Sequence, residues 1–447
     1  MRDYDPRRFG SYATKDWQVV KAREDYCLRH EIPFPHFNRL AGRPIKPSGI
    51  HDMLKAKGAV HEEVYGFERP RFFARGIAQK DHYSFNRTPV DDMVAAEVRA
   101  VRERVGIMDV TAFTKVLVEG PAAYALLDRL TANRMPQKTG SITLTHMLNP
   151  RGRIELETTI VRTASASSSG AIGDQKGDRF YLVCAAFFEQ RLLDHLAQHK
   201  GADKATVTAL SAEWSALSLN GPRSRDVLAA CTDAPLDNQS FRWLSAQEIT
   251  LAGHKIWAFR MSYAGELGWE FHMPNAALVD VYLALWSAGE AYGIADYGSF
   301  AMNVMRMEKG FKGAGELTNE VSLAEADVLR FARTDKAYLG RDATLNTDLP
   351  WLCAYLEIEP DGVADGHGGE AVILDGQVVG STASVAYGPT LGKILAFAYL
   401  KPHAAKPGTA LEVLIHGQPR AARVLGAPAY DPESLLPRTD AVLEPAQ

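Results

Sequence analysis

The chain has 447 residues, 46% of them hydrophobic and 23% charged, with a formal net charge of −4. That length spans two or three domains and buries a large core without disulfides or a structural metal. So small a charge gives no general attraction to nucleic acid or acidic membranes, and no stretch approaches the roughly 18 apolar residues of a membrane helix. The opening residues, MRDYDPRRFGSYATKDW, are charged and carry no apolar core of signal-peptide type. Cys27, Cys184, Cys231 and Cys353 stand far apart with no CxxC pair, and read as reduced packing residues of a cytoplasmic protein.

Residues 1–80 are aromatic, basic and punctuated by proline, and are expected to form an arm packed on the core. Residues 81–345 read as two related units. Over Asp91–Gly106, the spacing of Val94, Val98, Val101 and Val105 predicts an amphipathic helix, with Arg99, Arg102 and Arg104 on its other faces. Strand Thr114–Val118, turn Gly120-Pro121, helix Ala122–Leu130, strands Ser141–Leu148 and Ile154–Arg162, strand Phe180–Cys184 and helix Leu192–His199 follow. The low-complexity run Thr163–Asp178 reads as a disordered hairpin tip. From Trp214 the same order returns: strand Ala216–Leu219, turn Gly221-Pro222, helix Ser224–Ala230, two strands about Ala252-Gly253, strand Trp269–Met273 and helix Ala277–Tyr292. That repetition predicts two related α+β modules. In residues 346–447 helices vanish from about Trp351. Short alternating runs there predict an antiparallel barrel or small sandwich, with a hairpin turn at Asp375-Gly376.

Several chemistries lack their motifs. There is no GxxxxGK[ST] loop, no GxGxxG after an N-terminal strand, no HExxH and no GxSxG. His195 and His199 lie four apart on a predicted helix without a third ligand nearby, so they read as two exposed histidines and no metal site is expected.

The most informative segment is Ser262–Pro274, SYAGELGWEFHMP. Gly265 and Gly268 bracket a tight turn containing Glu266, and strand alternation sends Glu270 to the face opposite Trp269 and Phe271. The plain reading is a surface glutamate on an edge strand. The functional one is a ligand-binding carboxylate, since burying it between aromatics is costly unless something pairs with it. A pterin offers a parallel amino group and ring N–H that one carboxylate accepts together. Trp269 or Tyr263 is then an aromatic wall, and Tyr263 also offers a hydroxyl to a reacting amine. In LNPRGRIELETTIVR (Leu148–Arg162), Glu155 and Glu157 share a strand face, where exposed alternating charge is the commoner case. In MNVMRMEKGFKG (Met302–Gly313), Arg306 and Glu308 precede the helix-capping Gly310, and a salt bridge is as good a reading as a ligand contact. Lys309 and Lys312 there are either solvated or reach an acidic ligand tail.

At these residues the sequence resembles the aminomethyltransferases, the glycine cleavage T-protein and its relatives. The pattern YxGExGxE stands intact as Tyr263–Glu270. VGIMDVTAFTKVLVEGP (Val105–Pro121), LNPRGRIELE, SLNGPRS (Ser218–Ser224), RMEKG and GPTLGK (Gly388–Lys393) match in the same order. The nearest likeness is to the folate-binding C-terminal half of dimethylglycine and sarcosine dehydrogenases. The arm resembles the stretch following their flavin domain, so the chain starts about where that domain would end. The resemblance implies three domains around a central opening for tetrahydrofolate, two α+β modules and a C-terminal β-barrel. It implies that Glu270 grips the pterin and that Tyr263 lies beside the reactive centre; with the readings of the residues above, the expected cofactor contacts are Glu270, Tyr263, Trp269 and Arg306. The T-protein's catalytic Asp falls at Leu156 here, whereas the dehydrogenase branch has its acid one residue later, at Glu157. The expected catalytic pair is therefore Glu157 and Tyr263.

The implied activity is a tetrahydrofolate-dependent demethylase or one-carbon transferase. It would pass a methyl or methylene group from a small methylated substrate, an N-methyl amine first among them, to the folate. The alternatives are a folate subunit working with a separate flavoprotein subunit in a split N-methyl amino acid dehydrogenase, and a binding or regulatory subunit without catalysis.

Overall fold

The computed structural model describes residues 10–32, 34–74, 83–164, 177–346, 348–360 and 364–438. The central residues of the predicted low-complexity tip, 165–176, lie outside the described residues. The N-terminal arm supplies helix α1 (Lys15–Cys27), short helix α2 (His51–Ala56) and the antiparallel hairpin β1 (Ala59–Val64) and β2 (Phe67–Phe73). Ile50 and Leu54 reach the core that also holds Leu217 and Trp269. Helix α3 (Pro89–Glu103) begins at a capping box in which Thr88 and Asp91 satisfy each other's backbone N–H groups, with Pro89 pre-set for the first turn. Its valines bury as their spacing predicts, but Arg102 does not lie on an outer face. It is buried, because two carboxylates from other segments meet it there.

Strand β3 (Gly106–Asp109) leads into β4 (Thr114–Gly120), α4 (Ala123–Leu130), β5 (Ile142–Leu148), β6 (Ile154–Ala164), β7 (Asp178–Cys184), α5 (Glu189–Lys200) and β8 (Thr206–Ala209). Next come β9 (Trp214–Asn220), α6 (Ser224–Ala229), β10 (Ala246–Leu251), β11 (His254–Phe259), β12 (Gly268–Pro274), α7 (Leu278–Gly289), β13 (Ala295–Asp296) and α8 (Ser299–Glu308). The first module is a five-stranded sheet ordered β5-β6-β7-β4-β8, and the second is a six-stranded sheet ordered β10-β11-β12-β9-β3-β13. The second sheet therefore borrows β3 from ahead of the first module, so the two units interlock.

Each sheet has an outer and an inner face. Leu126, Leu127, Leu192 and Leu196 of α4 and α5 cover Leu156, Ile160 and Leu182 outside the first sheet, while Val281 and Leu285 of α7 cover Leu219, Trp269 and Phe271 outside the second. The inner faces meet through Val161, Tyr181 and Val183 on one side and Phe259 on the other. His195 faces the α5 core and is buried, with His199 half-buried and its ring 4.8 Å away, so the pair is not exposed as expected. Cys184 and Cys353 are packing residues, but Cys27 is exposed because no residue of α1 is buried.

After short helix α9 (Arg341–Thr344), strands β14 (Leu352–Ile358), β15 (Ala371–Leu374), β16 (Gln377–Gly388), β17 (Lys393–Leu400), β18 (Ala410–Ile415) and β19 (Gln418–Leu425) close into an antiparallel barrel. Its tight β15–β16 hairpin turns at Asp375 and Gly376, both with positive φ. The architecture is thus α+β and multidomain, with two sheet modules and a C-terminal closed barrel. Among the described residues, no helix is long and apolar enough to cross a membrane.

Candidate functional site

The turn between β11 and β12 is fixed by contacts that leave little choice of residue. Gly265 has φ +82°, and a Cβ there would lie 2.8 Å from the Lys309 side chain; at Gly268 one would lie 2.2 Å from Asn220 Oδ1. Glu266, inside the turn, accepts from Arg102 at 2.8 Å and from the Tyr430 hydroxyl at 2.7 Å. Arg102 also binds Glu308 at 2.8 Å, and Glu308 accepts from the Thr390 N–H at 3.0 Å. Lys309 is wholly buried and donates to Asp431 at 2.7 Å. It therefore does not reach toward a ligand tail. Burial pushes the Glu266 carboxyl up, against the pull of Arg102 and Tyr430. RMEKG, GPTLGK and the GELG turn are thus parts of one buried ionic lock joining α3, α8 and the barrel.

The lock fixes the turn that leads into β12, and two carboxylates, one on β12 and one on β6, stand on the inner faces. On β12, Glu270 stands opposite Ser218 of β9 and Phe259 of β11, on the inner face. Its side chain keeps 9% of its surface exposed, and its neighbour is the His272 imidazole, with Nε2 3.5 Å from Oε2. Trp269 points the other way. It is fully buried in the outer core, with its ring 6.2 Å from Phe241, and so cannot wall the space that Glu270 faces. Strand alternation, which sends Glu270 inward, sends its neighbour outward.

On β6 the same rule separates Leu156 from Glu157. Leu156 is fully buried in the helix-covered core. Glu157 faces inward opposite His146, whose Nε2 lies 3.2 Å from its Oε1, and remains 26% exposed. Glu155 shares its face but is held by Arg191 at 3.2 Å and Asn149 at 3.0 Å. An acid at position 156 of this chain would meet leucines, whereas the one at 157 stays partly exposed on the inner face.

Tyr263 joins the Glu157 side. Its hydroxyl donates to the Lys312 carbonyl at 3.0 Å, and its ring lies nearly parallel to Phe311, 5.9 Å away. Burial raises its phenol above the ordinary range; Arg306 opposes that rise, while Glu157 and Glu316 add to it. Arg306 is thereby near Tyr263, but its guanidinium is engaged by Glu316 at 3.0 Å and the Phe311 carbonyl at 3.1 Å. It shapes the 311–316 loop. Tyr399 of the barrel donates to the Glu316 carbonyl at 2.6 Å, tying that loop to the third unit. His146, His272 and Tyr181 were not singled out from sequence. A strand position two residues from a carboxylate was the available signal for His272. Among the described residues, no group of three or more His, Cys, Asp or Glu could hold a metal ion.

The GCVT N-terminal domain family matches residues 50–336, and the glycine cleavage T-protein C-terminal barrel domain matches residues 353–431. The chain belongs to the glycine cleavage T-protein family. The family is one of tetrahydrofolate-dependent aminomethyltransferases, and membership implies a folate-binding domain. Residues 1–48 match the FAD dependent oxidoreductase central domain. The chain is 31% identical over 436 residues to mouse mitochondrial dimethylglycine dehydrogenase, covering 95% of this chain and 48% of that protein. It is 27% identical to a probable aminomethyltransferase of Thermococcus kodakarensis, over 87% of this chain and 98% of that protein. The crystal structure of the Bartonella henselae aminomethyltransferase T shares the fold, with a TM-score of 0.73 and 20% identity over 87% of this chain and 99% of that one. The chain spans about half the length of the first curated relatives it matches. The cytoplasmic expectation is corrected by these relatives: the mouse, human and rat dehydrogenases are named mitochondrial. Scattered cysteines mark a reducing environment, which is not peculiar to the cytosol.

Proposed function

We infer that the space between the inner faces binds tetrahydrofolate and that a methyl or methylene group passes to it from a small methylated substrate, an N-methyl amine above all. The observation carrying this reading is the placement of Glu157 and Glu270 on facing inner surfaces, while their neighbours Leu156 and Trp269 fill the outer cores. The residues present suit the cofactor. No arginine or lysine pairs with Glu270 among the described residues, so its oxygens remain free to accept two parallel N–H donors of a pterin. Tetrahydrofolate supplies the amine that accepts the carbon.

Glu157 is the proton acceptor of the pair, with His146 Nε2 3.2 Å from its Oε1. Tyr263 keeps its proton, being raised by burial, and gives it to the Lys312 carbonyl, which leaves its oxygen to accept from the reacting amine. Holding donor and acceptor together supplies much of the remaining acceleration. The test is a single-turnover assay with tetrahydrofolate and N-methyl donors, separating 5-methyl from 5,10-methylene product. Glu157→Gln should bind folate normally and transfer about 10²–10⁴-fold more slowly. Unchanged transfer in that variant contradicts the role of Glu157.

A second reading, a folate subunit serving a separate flavoprotein, is favoured by the match of residues 1–48 to the FAD dependent oxidoreductase central domain. Helix α1 agrees with it, burying no residue and exposing Val19, Val20 and Tyr26. Turnover of donor by the purified chain alone, without any flavoprotein, excludes this reading.

A further inference from the structure

His272 is fully buried on the inner face of β12, two residues beyond Glu270. Its ring stacks on Phe259 at 4.4 Å, 27° from parallel, which fixes its plane. Across the junction, the Tyr181 hydroxyl on β7 lies 3.2 Å from Nδ1. On its other side, Nε2 stands 3.5 Å from Glu270 Oε2. That is longer than the about 2.7–3.2 Å of a formed bond, and Nε2 has no hydrogen-bond partner among the described residues. A buried N–H aimed at a carboxylate without closing on it costs free energy until the gap closes.

The tautomer follows from chemistry. Burial raises the Tyr181 phenol well above its ordinary range, so it keeps its proton and is able to donate to Nδ1 or to accept from it. Burial also lowers the His272 imidazole, so the ring is neutral, and the carboxylate facing Nε2 favours the one proton there, leaving Nδ1 to accept from Tyr181.

We propose that His272 is the positioning residue of the pterin-binding carboxylate, oriented by Tyr181, so that a hydrogen-bond chain from the first module sets Glu270 on the second. When two N–H groups of a ligand engage Glu270, its Oε2 also receives the Nε2–H of His272, and the buried gap closes. Ligand recognition is thereby made conditional on the correct docking of the two sheets. The proposal rests on the assignment of Glu270 to folate.

The test is a double-mutant cycle read by equilibrium titration with 5-formyltetrahydrofolate, joined to 15N spectra of the histidine ring. His272→Phe should weaken binding about tenfold, and Tyr181→Phe about threefold, as expected for loss of hydrogen bonds worth about 0.5–1.5 kcal/mol. His272→Gln, which retains a donor, should recover part of the loss. In the Glu270→Gln background, His272→Phe should cost nothing further, because its effect passes through the carboxylate. The wild-type spectrum should report the Nε2–H tautomer, and Tyr181→Phe a mixture. Equal losses from His272→Phe in both backgrounds overturn the proposal, as does an unchanged tautomer in Tyr181→Phe. Should Glu270→Gln itself bind as wild type, the folate assignment fails first, and that outcome is recognised from the single variant. Tyr181→Phe removes one oxygen and keeps the packing, so it decides the matter even where His272→Phe does not fold.

Discussion

Replacing Arg102 by methionine tests whether the buried ionic lock holds the turn that carries Glu270. The guanidinium donates to Glu266 and Glu308 at 2.8 Å each and to the Ala264 carbonyl at 2.8 Å, and lies 3.9 Å from the Tyr430 ring. Methionine restores volume but leaves two carboxylates, exposed by only 2% and 0%, without their shared cation. Removing one partner of a buried pair costs about 3–5 kcal/mol, a large part of the about 5–15 kcal/mol that holds a domain. Urea denaturation at neutral pH is the assay, with the loss expected in that range. The sign with pH is fixed by Glu266, whose folded-state pKa is raised by burial. Such a group contributes stability that is fully present below its unfolded pKa and is lost as pH rises through its folded pKa. Without Arg102 the rise is larger, so the variant's deficit should be greatest near pH 7–8 and shrink toward about pH 5. A deficit below about 1 kcal/mol, the worth of a surface pair, or one that is the same at both pH values, refutes the lock.

Three other substitutions follow from the same geometry. Gly265→Ala puts a Cβ at φ +82° and 2.8 Å from Lys309, and should lower stability by about 1–3 kcal/mol in thermal unfolding while weakening folate binding. Trp269→Phe should cost stability through its lost volume in the outer core, yet leave reduced-folate affinity unchanged in a fluorescence-independent titration. Leu156→Asp buries an unpaired carboxylate among leucines and should unfold much of the protein by circular dichroism, without restoring activity to a Glu157→Gln enzyme.

Much of this arrangement was readable in the chain. The 3.6-residue spacing of valines gave α3, the Gly-Pro turns gave the repeated module order, and Asp375-Gly376 gave the barrel hairpin. Alternation also separated Glu270 from its neighbours, and the structure applies that rule to Trp269, which its aromatic side chain had suggested as a wall of the ligand site. Partners distant in sequence were not readable. Arg102 is 164 residues from Glu266 and His272 is 91 from Tyr181, so no local period links them. The borrowing of β3 by the second sheet was hidden for the same reason: a four-residue strand carries no sign of which sheet will take it.

The central claim is that Glu270 holds the pterin. Isothermal titration of 5-formyltetrahydrofolate into the wild type and Glu270→Ala tests it most directly. The account predicts saturable binding to the wild type and at least a hundredfold loss in the variant, about 2.7 kcal/mol, with the fold intact by circular dichroism. Equal affinity of the two proteins would contradict it.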